Sequence, residues 1–463
     1  MFKYKFPFLK SVIRCHIRCF LLILLLLTAS SAFANDLIVG YYPCWMTATL
    51  PARDIQFENL THIIHAFAWP ESDGSISTAY GLIYPELNEA AHNAGKKILI
   101  SLGGWGNSGG FAPMAADSAT RATFIGNLMD FMNDNNYDGV DLDWESPANT
   151  TQKNNLTLLV KELHEKFDEV DDSLLLTMAV GTGSYSGQHF DYESMIEYID
   201  WFAMMAYDFH GGWSNHAGHN APLYQPPGEN DGSGYDGMQY LHVTRGIPKN
   251  KILFGMPFYG KHFYASELYG PATDGNTTYL YSEIARKFAA GGWVYHWDDF
   301  SKVPYLLNTY NTRFITYDDT VSIRFKCEFA KDNKLLGVMI WALGQDVLDD
   351  TQPLLETVGK TMRGQTGVST PANQIVRKIE LFENYPNPFN PTTTIQFSLD
   401  KSLQVRLSIY NNSGQLVQVL LNSMVNGGVH TVKWDANGLS TGLYFYKLEA
   451  GSFCEMKKML FVK

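Results

Sequence analysis

Past its first 34 residues the chain has no apolar run close to the ~20 residues a helix needs to cross a bilayer, which excludes a bundle of such spans. No glycine-rich loop follows its first strand-like segment, which counts against an open nucleotide-binding sheet. Cations are in short supply, with 35 Lys and Arg against 47 Asp and Glu. That balance argues against nucleic acid or an anionic lipid surface as a partner and suits a neutral or cationic substrate. Cysteine is scarce, at five in 463 residues. Cys15 and Cys19 fall in the leader described next, and the odd remainder, Cys44, Cys327 and Cys454, implies no disulfide framework. A single Cys44–Cys327 bridge and a set of unpaired thiols both fit that count.

What is present begins with the leader. Lys3, Lys5, Lys10, Arg14 and Arg18 precede the apolar run "FLLILLLL", and "AFA" at 32–34 has the small-x-small form of a signal-peptide cleavage site. Its removal would leave 30 basic against 47 acidic residues, a net charge of −17. Aromatic content is high, with 10 Trp, 26 Tyr and 28 Phe. Two readings fit: a large ring-rich core, or a cleft whose rings stack on flat ligands such as sugars.

Short apolar runs after turn signals give eight strand candidates: 36–43, 61–70, 96–105, 137–145, 174–181, 201–208, 251–260 and 336–344. Helical patterns separate many of them, for example 121–135 and 155–170. Near-continuous apolar strands alternating with helices indicate a parallel sheet covered on its faces. Eight such units over about 330 residues predict a closed (β/α)8 barrel at 35–363. The spacing breaks once, at about 261–316, which reads as a small α+β insertion after strand seven. Residues 364–379 read as a linker. Beyond it, runs such as "TTIQFSL" and "GLYFYKLE" alternate polar with apolar and predict an all-β sandwich over 380–463, with Phe397, Trp434 and Phe445 facing inward.

The strand candidate "YDGVDLDWE" poses a physical problem. Side chains alternate faces along a strand, so Asp141, Asp143 and Glu145 point the same way, roughly 6–7 Å apart. Like charges on one face repel, and burying them unpaired costs several kcal/mol. A salt-bridged plug inside the barrel would resolve this, but strands three to six carry no Lys or Arg past Lys96 and Lys97. Asp138 falls on the opposite face and reads as an anchor for the strand's start. Barrel active sites gather where strands end at the carboxyl face. Glu145, Asp208, Trp105 and Trp341 all fall there, and paired carboxylates with aromatic floors suggest glycoside hydrolysis.

Asp138-Gly139-x-Asp141-x-Asp143-x-Glu145 resembles the signature of glycoside hydrolase family 18, the chitinases. The resemblance runs over most of 36–350 and includes "SLGGW" (101–105), Met205-x-Tyr207-Asp208, "GMPFYG" (255–260) and Trp341. It implies that Glu145 is the general acid, and that Asp143 orients the substrate's 2-acetamido group, which is itself the nucleophile. Asp141 then shares a proton and hydrogen bond with Asp143, and Tyr207 bonds the acetamido oxygen. Tyr41, Phe67, Trp105, Met205, Asp208, Tyr259 and Trp341 are implied to line the substrate cleft, with Trp341 beneath the sugar. Trp45, Trp69, Trp213, Trp293 and Trp297 are open between sugar stacking and packing. The implied enzyme is a monomer that needs neither metal nor organic cofactor and binds chitin or its oligosaccharides. Lys261 stands where Arg is frequent in the family, and the insertion is short, which implies an open groove and internal cleavage. Two rivals share the resemblance: an endo-β-N-acetylglucosaminidase acting on N-glycan cores, and a non-cleaving chitin lectin, which the presence of Glu145 disfavours. The segment from "ENYPNPFNPTTTIQFSL" onward resembles the sorting domain of the type IX secretion system, which implies a Gram-negative source and a secreted or cell-surface destination.

Overall fold

The computed structural model describes residues 37–364 except 227 and 228, and 379–462 except 383, 385–388, 400, 426, 427 and 452. The leader expected at 1–34 and residues 365–378 of the expected linker lie outside the described residues. The chain divides into two compact units at about residue 365.

The first unit is a closed barrel of eight parallel strands: β1 (Leu37–Pro43), β2 (His62–Pro70), β3 (Lys97–Gly103), β4 (Gly139–Asp143), β5 (Leu175–Val180), β6 (Phe202–Met204), β7 (Ile252–Pro257) and β8 (Gly337–Trp341). Each pairs with the next, and β8 closes onto β1. The near-continuous apolar strands have a direct explanation, because both faces are covered. Val39, Leu99, Ala203, Leu253 and Met339 fill the barrel interior. Their immediate neighbours in sequence, such as Ile38, Ile98, Phe202, Ile252 and Val338, pack outward beneath the helices. Each Val, Leu, Ile, Phe or Met side chain so buried contributes about 1.5–3 kcal/mol.

The expected helices are longer than their periodic cores. Ser118–Asn135 starts where Asp117 accepts from the N–H groups of Ala119 and Thr120, and Thr150–Val170 starts where Asn149 accepts from Gln152 N–H. Asp138 has the expected structural role. Its Oδ2 accepts from the N–H of Ile98 at 2.7 Å and lies 2.9 Å from His92 Nε2, tying β4 to β3 and to the helix Pro85–Asn93.

Two strand expectations need correction. The run 201–208 forms only three strand residues, so Met205, Tyr207 and Asp208 lie beyond β6. The run 251–260 is two strands: β7 ends at Pro257, and Tyr259–Tyr264 opens a separate sheet. That sheet is antiparallel, in the order Thr273–Leu280, Tyr259–Tyr264, Phe314–Thr316, Val303–Asn308, Trp293–Asp298, and it carries the helix Tyr281–Ala290. Cys44 and Cys327 are buried free thiols.

The second unit holds antiparallel strands in two sheets, one containing Thr392–Leu399 and Gly428–Asp435, the other Leu416–Val425, Leu403–Asn411, Gly442–Ala450 and Phe453–Phe461. Phe397 and Trp434 are buried between them, as expected. Phe445 is not: it is half-buried on the opposite face, because the strand's alternation gives the inward positions to Tyr444 and Tyr446.

Candidate active site

Register assembles the centre of the site. Ser101 of β3 and Thr177 of β5 stand directly beside Asp141 of β4. Ser101 Oγ donates to Asp141 Oδ2 at 2.9 Å, Thr177 Oγ1 donates to Oδ1 at 2.7 Å, and Tyr41 of β1 reaches across the interior to donate its hydroxyl to Oδ2 at 2.8 Å. Asp141 is fully buried. Burial pushes its pKa up, and the three hydroxyls pull against that rise.

Asp143, 4% exposed, is treated differently. Its Oδ1 is buried with no hydrogen-bond partner. Burial, then the charges of Glu145 and Asp141, raise its pKa well above the usual carboxylate range. Asp141 stands two residues before Asp143 on the same face of β4. Three hydroxyl donors serve Asp141, two on Oδ2 and one on Oδ1, whereas none is directed at Asp143 Oδ1.

Glu145 lies two residues beyond β4, half-buried at the mouth. Its carboxyl is pushed up to about 7, first by burial and then by the charge of Asp208. The backbone beneath it is pinned by Ser108, whose Oγ accepts from Glu145 N–H at 3.0 Å and lies within donating distance of the Asp143 carbonyl at 3.2 Å. "SLGGW" has a steric reason in the same place. Gly103 has φ +106, and a Cβ there would meet Asp143 O at 2.3 Å; a Cβ on Gly104 would strike the Phe67 ring at 2.7 Å. Trp105 follows and is 87% exposed at the rim.

The opposite wall comes from the loop after β6 and the strand after β7. Tyr207 is half-buried, and burial, then Asp143, Asp208 and Glu145, raise its hydroxyl well above its ordinary range, so it remains a neutral donor. Asp208 adopts φ +59; its Oδ1 accepts from Tyr259 OH at 2.7 Å and pairs with Lys261 Nζ at 3.0 Å. Tyr259 packs edge-on to Tyr207, with ring centroids 6.1 Å apart. Among the described residues no Lys, Arg or His is paired with Asp141, Asp143 or Glu145; the cation of this wall is spent on Asp208.

Trp341 ends β8, half-buried. Phe67 stacks on it at 5.6 Å and Tyr41 packs against it at 5.5 Å. Tyr41 and Phe67, expected to line the cleft, are buried at 2% and 6% exposure and meet it through their contacts with Trp341; Tyr259 is as deeply buried, at 5%. Met205 is half-buried and packs on the interior cluster beside Tyr207. Trp45 and Trp213 are exposed, whereas Trp293 packs within the insertion and Trp297 against Phe325. Trp69 is half-buried and bonds Glu71.

The roles of Ser101, Thr177 and Ser108 have no signal in the sequence beyond the place of Ser101 in "SLGGW". A hydroxyl inside an apolar run becomes meaningful only once register places it beside a carboxylate. Among the described residues, one group of metal-type ligands converges: His210, His216 and Asp231, in the chain beyond β6.

Residues 37–346 match the family described as Glycosyl hydrolases family 18, and residues 383–463 match the Secretion system C-terminal sorting domain. Chitinase A1 of Niallia circulans is 31% identical over 393 residues, an alignment that covers 67% of this chain and 56% of that protein. Class V chitinase CHIT5 of Lotus japonicus is 31% identical over 339 residues, covering 66% of this chain and 82% of the relative. The crystal structure of Ostrinia furnacalis Group IV chitinase in complex with allosamidin superposes with a TM-score of 0.66 at 27% identity, covering 71% of this chain and 99% of that one.

Proposed function

The chain belongs to glycosyl hydrolase family 18, and on that premise we propose that it is an exported, endo-acting chitinase that hydrolyses β-1,4-linked N-acetylglucosamine with the substrate's own acetamido group as nucleophile. The reading is carried by one arrangement: Glu145, pushed up to about 7, stands over two buried carboxylates that have no cation beside them.

A general acid works best when its pKa lies near the operating pH. Protonated Glu145 donates to the glycosidic oxygen as the bond to the anomeric carbon breaks. The acetamido carbonyl oxygen bonds to that carbon, and the positive charge spreads over the resulting oxazolinium ring. Asp143, uncompensated in the free protein, gains a cationic partner only at this stage, which is the condition for stabilising a transition state rather than a ground state. Asp141, held by three hydroxyls, keeps its place beside Asp143. The neutral hydroxyl of Tyr207 donates to the acetamido oxygen. Glu145 then removes a proton from water as the water opens the ring, so its proton is restored. Trp341 floors the sugar with Tyr41 and Phe67 beneath it, Met205, Asp208 and Tyr259 form the wall, and Trp105 extends the cleft. The short insertion after β7 supports a low wall and internal cleavage.

Incubation with chitin oligomers and with a high-mannose glycoprotein, followed by weighing the products, tests the reading. Internally cleaved oligomers with the glycoprotein intact are expected. Release of N-glycans with the oligomers untouched would replace chitin by the chitobiose core.

We further propose that the sorting domain directs type IX export to the cell surface or beyond. Deleting 380–463 should leave oligomer hydrolysis intact and strand the protein in the periplasm of a host with that machinery. Normal export of the truncated chain would overturn the assignment.

A further inference from the structure

Beyond β6 the chain carries "FHGGWSNHAGHN", residues 209–220, with three histidines in twelve residues. His210 is buried at 3% exposure, His216 is half-buried and Asp231 is exposed. His210 Nε2 lies 3.1 Å from His216 Nε2, and Asp231 Oδ2 lies 3.2 Å from the first and 3.1 Å from the second.

The other ring nitrogens fix what these atoms are. His210 Nδ1 faces the carbonyl of His219 at 2.9 Å, and His216 Nδ1 faces Asn215 Oδ1 at 2.9 Å. An oxygen acceptor at Nδ1 places the proton there, so in each neutral ring Nε2 is a bare lone pair. Two imidazole lone pairs and a carboxylate oxygen therefore point at one another across about 3 Å. That arrangement is repulsive unless a proton or a cation sits in the middle. Gly218 makes the convergence sterically feasible: a Cβ there would meet the His210 ring at 2.2–2.4 Å.

We propose that His210 Nε2, His216 Nε2 and Asp231 Oδ2 bind a divalent transition-metal ion of the zinc class. Ligands held at about 2.0–2.1 Å on a tetrahedral zinc ion stand about 3.3 Å apart, close to the separations here. Imidazole nitrogens select such ions over magnesium and calcium, which prefer all-oxygen sets. The Nδ1 contacts supply the outer hydrogen bonds that orient ligating histidines. The ion's role is structural and lies outside the glycosidase reaction. It ties together the loop that carries Asp208 and Asn220, where Asn220 Oδ1 accepts from Asp208 N–H at 3.3 Å, and the segment around Asp231. The proposal does not rest on the identity of the substrate.

The competing arrangement is a proton on His216 forming an ion pair with Asp231, and metal titration separates the two. The purified chain, stripped with a chelator and dialysed, is titrated with Zn2+ and then with Co2+. One equivalent of Zn2+ per chain is expected, with visible d–d absorption for Co2+ and a rise in Tm of about 3 °C at a hundredfold excess over Kd. The variants His216→Ala and Asp231→Asn leave the buried ring in place, and each should weaken Zn2+ binding at least tenfold. Uptake that is substoichiometric, unchanged in both variants, or matched by Mg2+ would overturn the proposal.

Discussion

Asp143 and Asp318 are both sealed from solvent, at 4% and 2% exposure, yet they are furnished in opposite ways. Asp318 receives the ammonium of Lys326, itself fully buried, at 2.6 and 2.7 Å on its two oxygens. Asp143 receives no cation, has one oxygen with no partner, and faces two further carboxylates. A carboxylate that only holds helix Thr320–Asp332 in place is neutralised by the fold. A carboxylate left with its charge unanswered destabilises the empty protein and suits a site whose partner arrives later as a cation.

The largest expected effect is on the acid of the uncompensated site. Glu145→Gln keeps the shape and cannot donate a proton, so turnover should fall ~10²–10⁴-fold. In the wild type kcat/KM should decline as pH rises through about 7, where Glu145 loses its proton, and the variant's residual rate should lack that alkaline limb. A variant within a few fold of wild type would remove Glu145 from the reaction.

The paired site should answer in stability instead. Lys326→Met leaves Asp318 buried and alone, which should cost ~3–5 kcal/mol in denaturant unfolding. An unchanged midpoint would erase the contrast with Asp143.

Trp341→Ala removes the floor above Tyr41 and Phe67 and should lower kcat/KM on chitin oligomers at least tenfold, since an aromatic platform contributes on the order of 1–2 kcal/mol. Unchanged kinetics in a folded variant would place the sugar elsewhere.

The smallest effect sharpens the comparison by its sign. The folded pKa of Asp143 lies above the unfolded value of about 3.9, so the folded protein favours its protonated form. Its contribution is fully present below that unfolded value and is lost as pH rises towards the folded one. Asp143→Asn removes this dependence, so its stability relative to wild type should improve as pH rises from about 4. A variant that becomes relatively less stable over that range would mean Asp143 is compensated after all.

The row Asp141, Asp143, Glu145 was legible because a strand's two-residue period needs no three-dimensional information, and the eight barrel strands were legible because both their faces are apolar. The same sequence could not show that β6 stops at Met204, since an extended apolar run does not mark where pairing ends. Nor could it show the hydroxyls of Ser101 and Thr177 meeting Asp141, which depends on the stagger of three strands. The direction of Tyr41, inward to Asp141 and not along the cleft, depends on barrel closure. His210, His216 and Asp231 converge through a loop conformation that no periodicity encodes.

If Asp143 is left unanswered so as to meet a cationic oxazolinium, the affinity of a stable thiazoline analogue of that ring must depend on it. Wild type should bind the analogue competitively and far more tightly than a chitin oligomer, and Asp143→Asn should lose most of that preference. Equal affinity for analogue and oligomer, or a preference that survives in Asp143→Asn, would mean that Asp143 does not meet the cation.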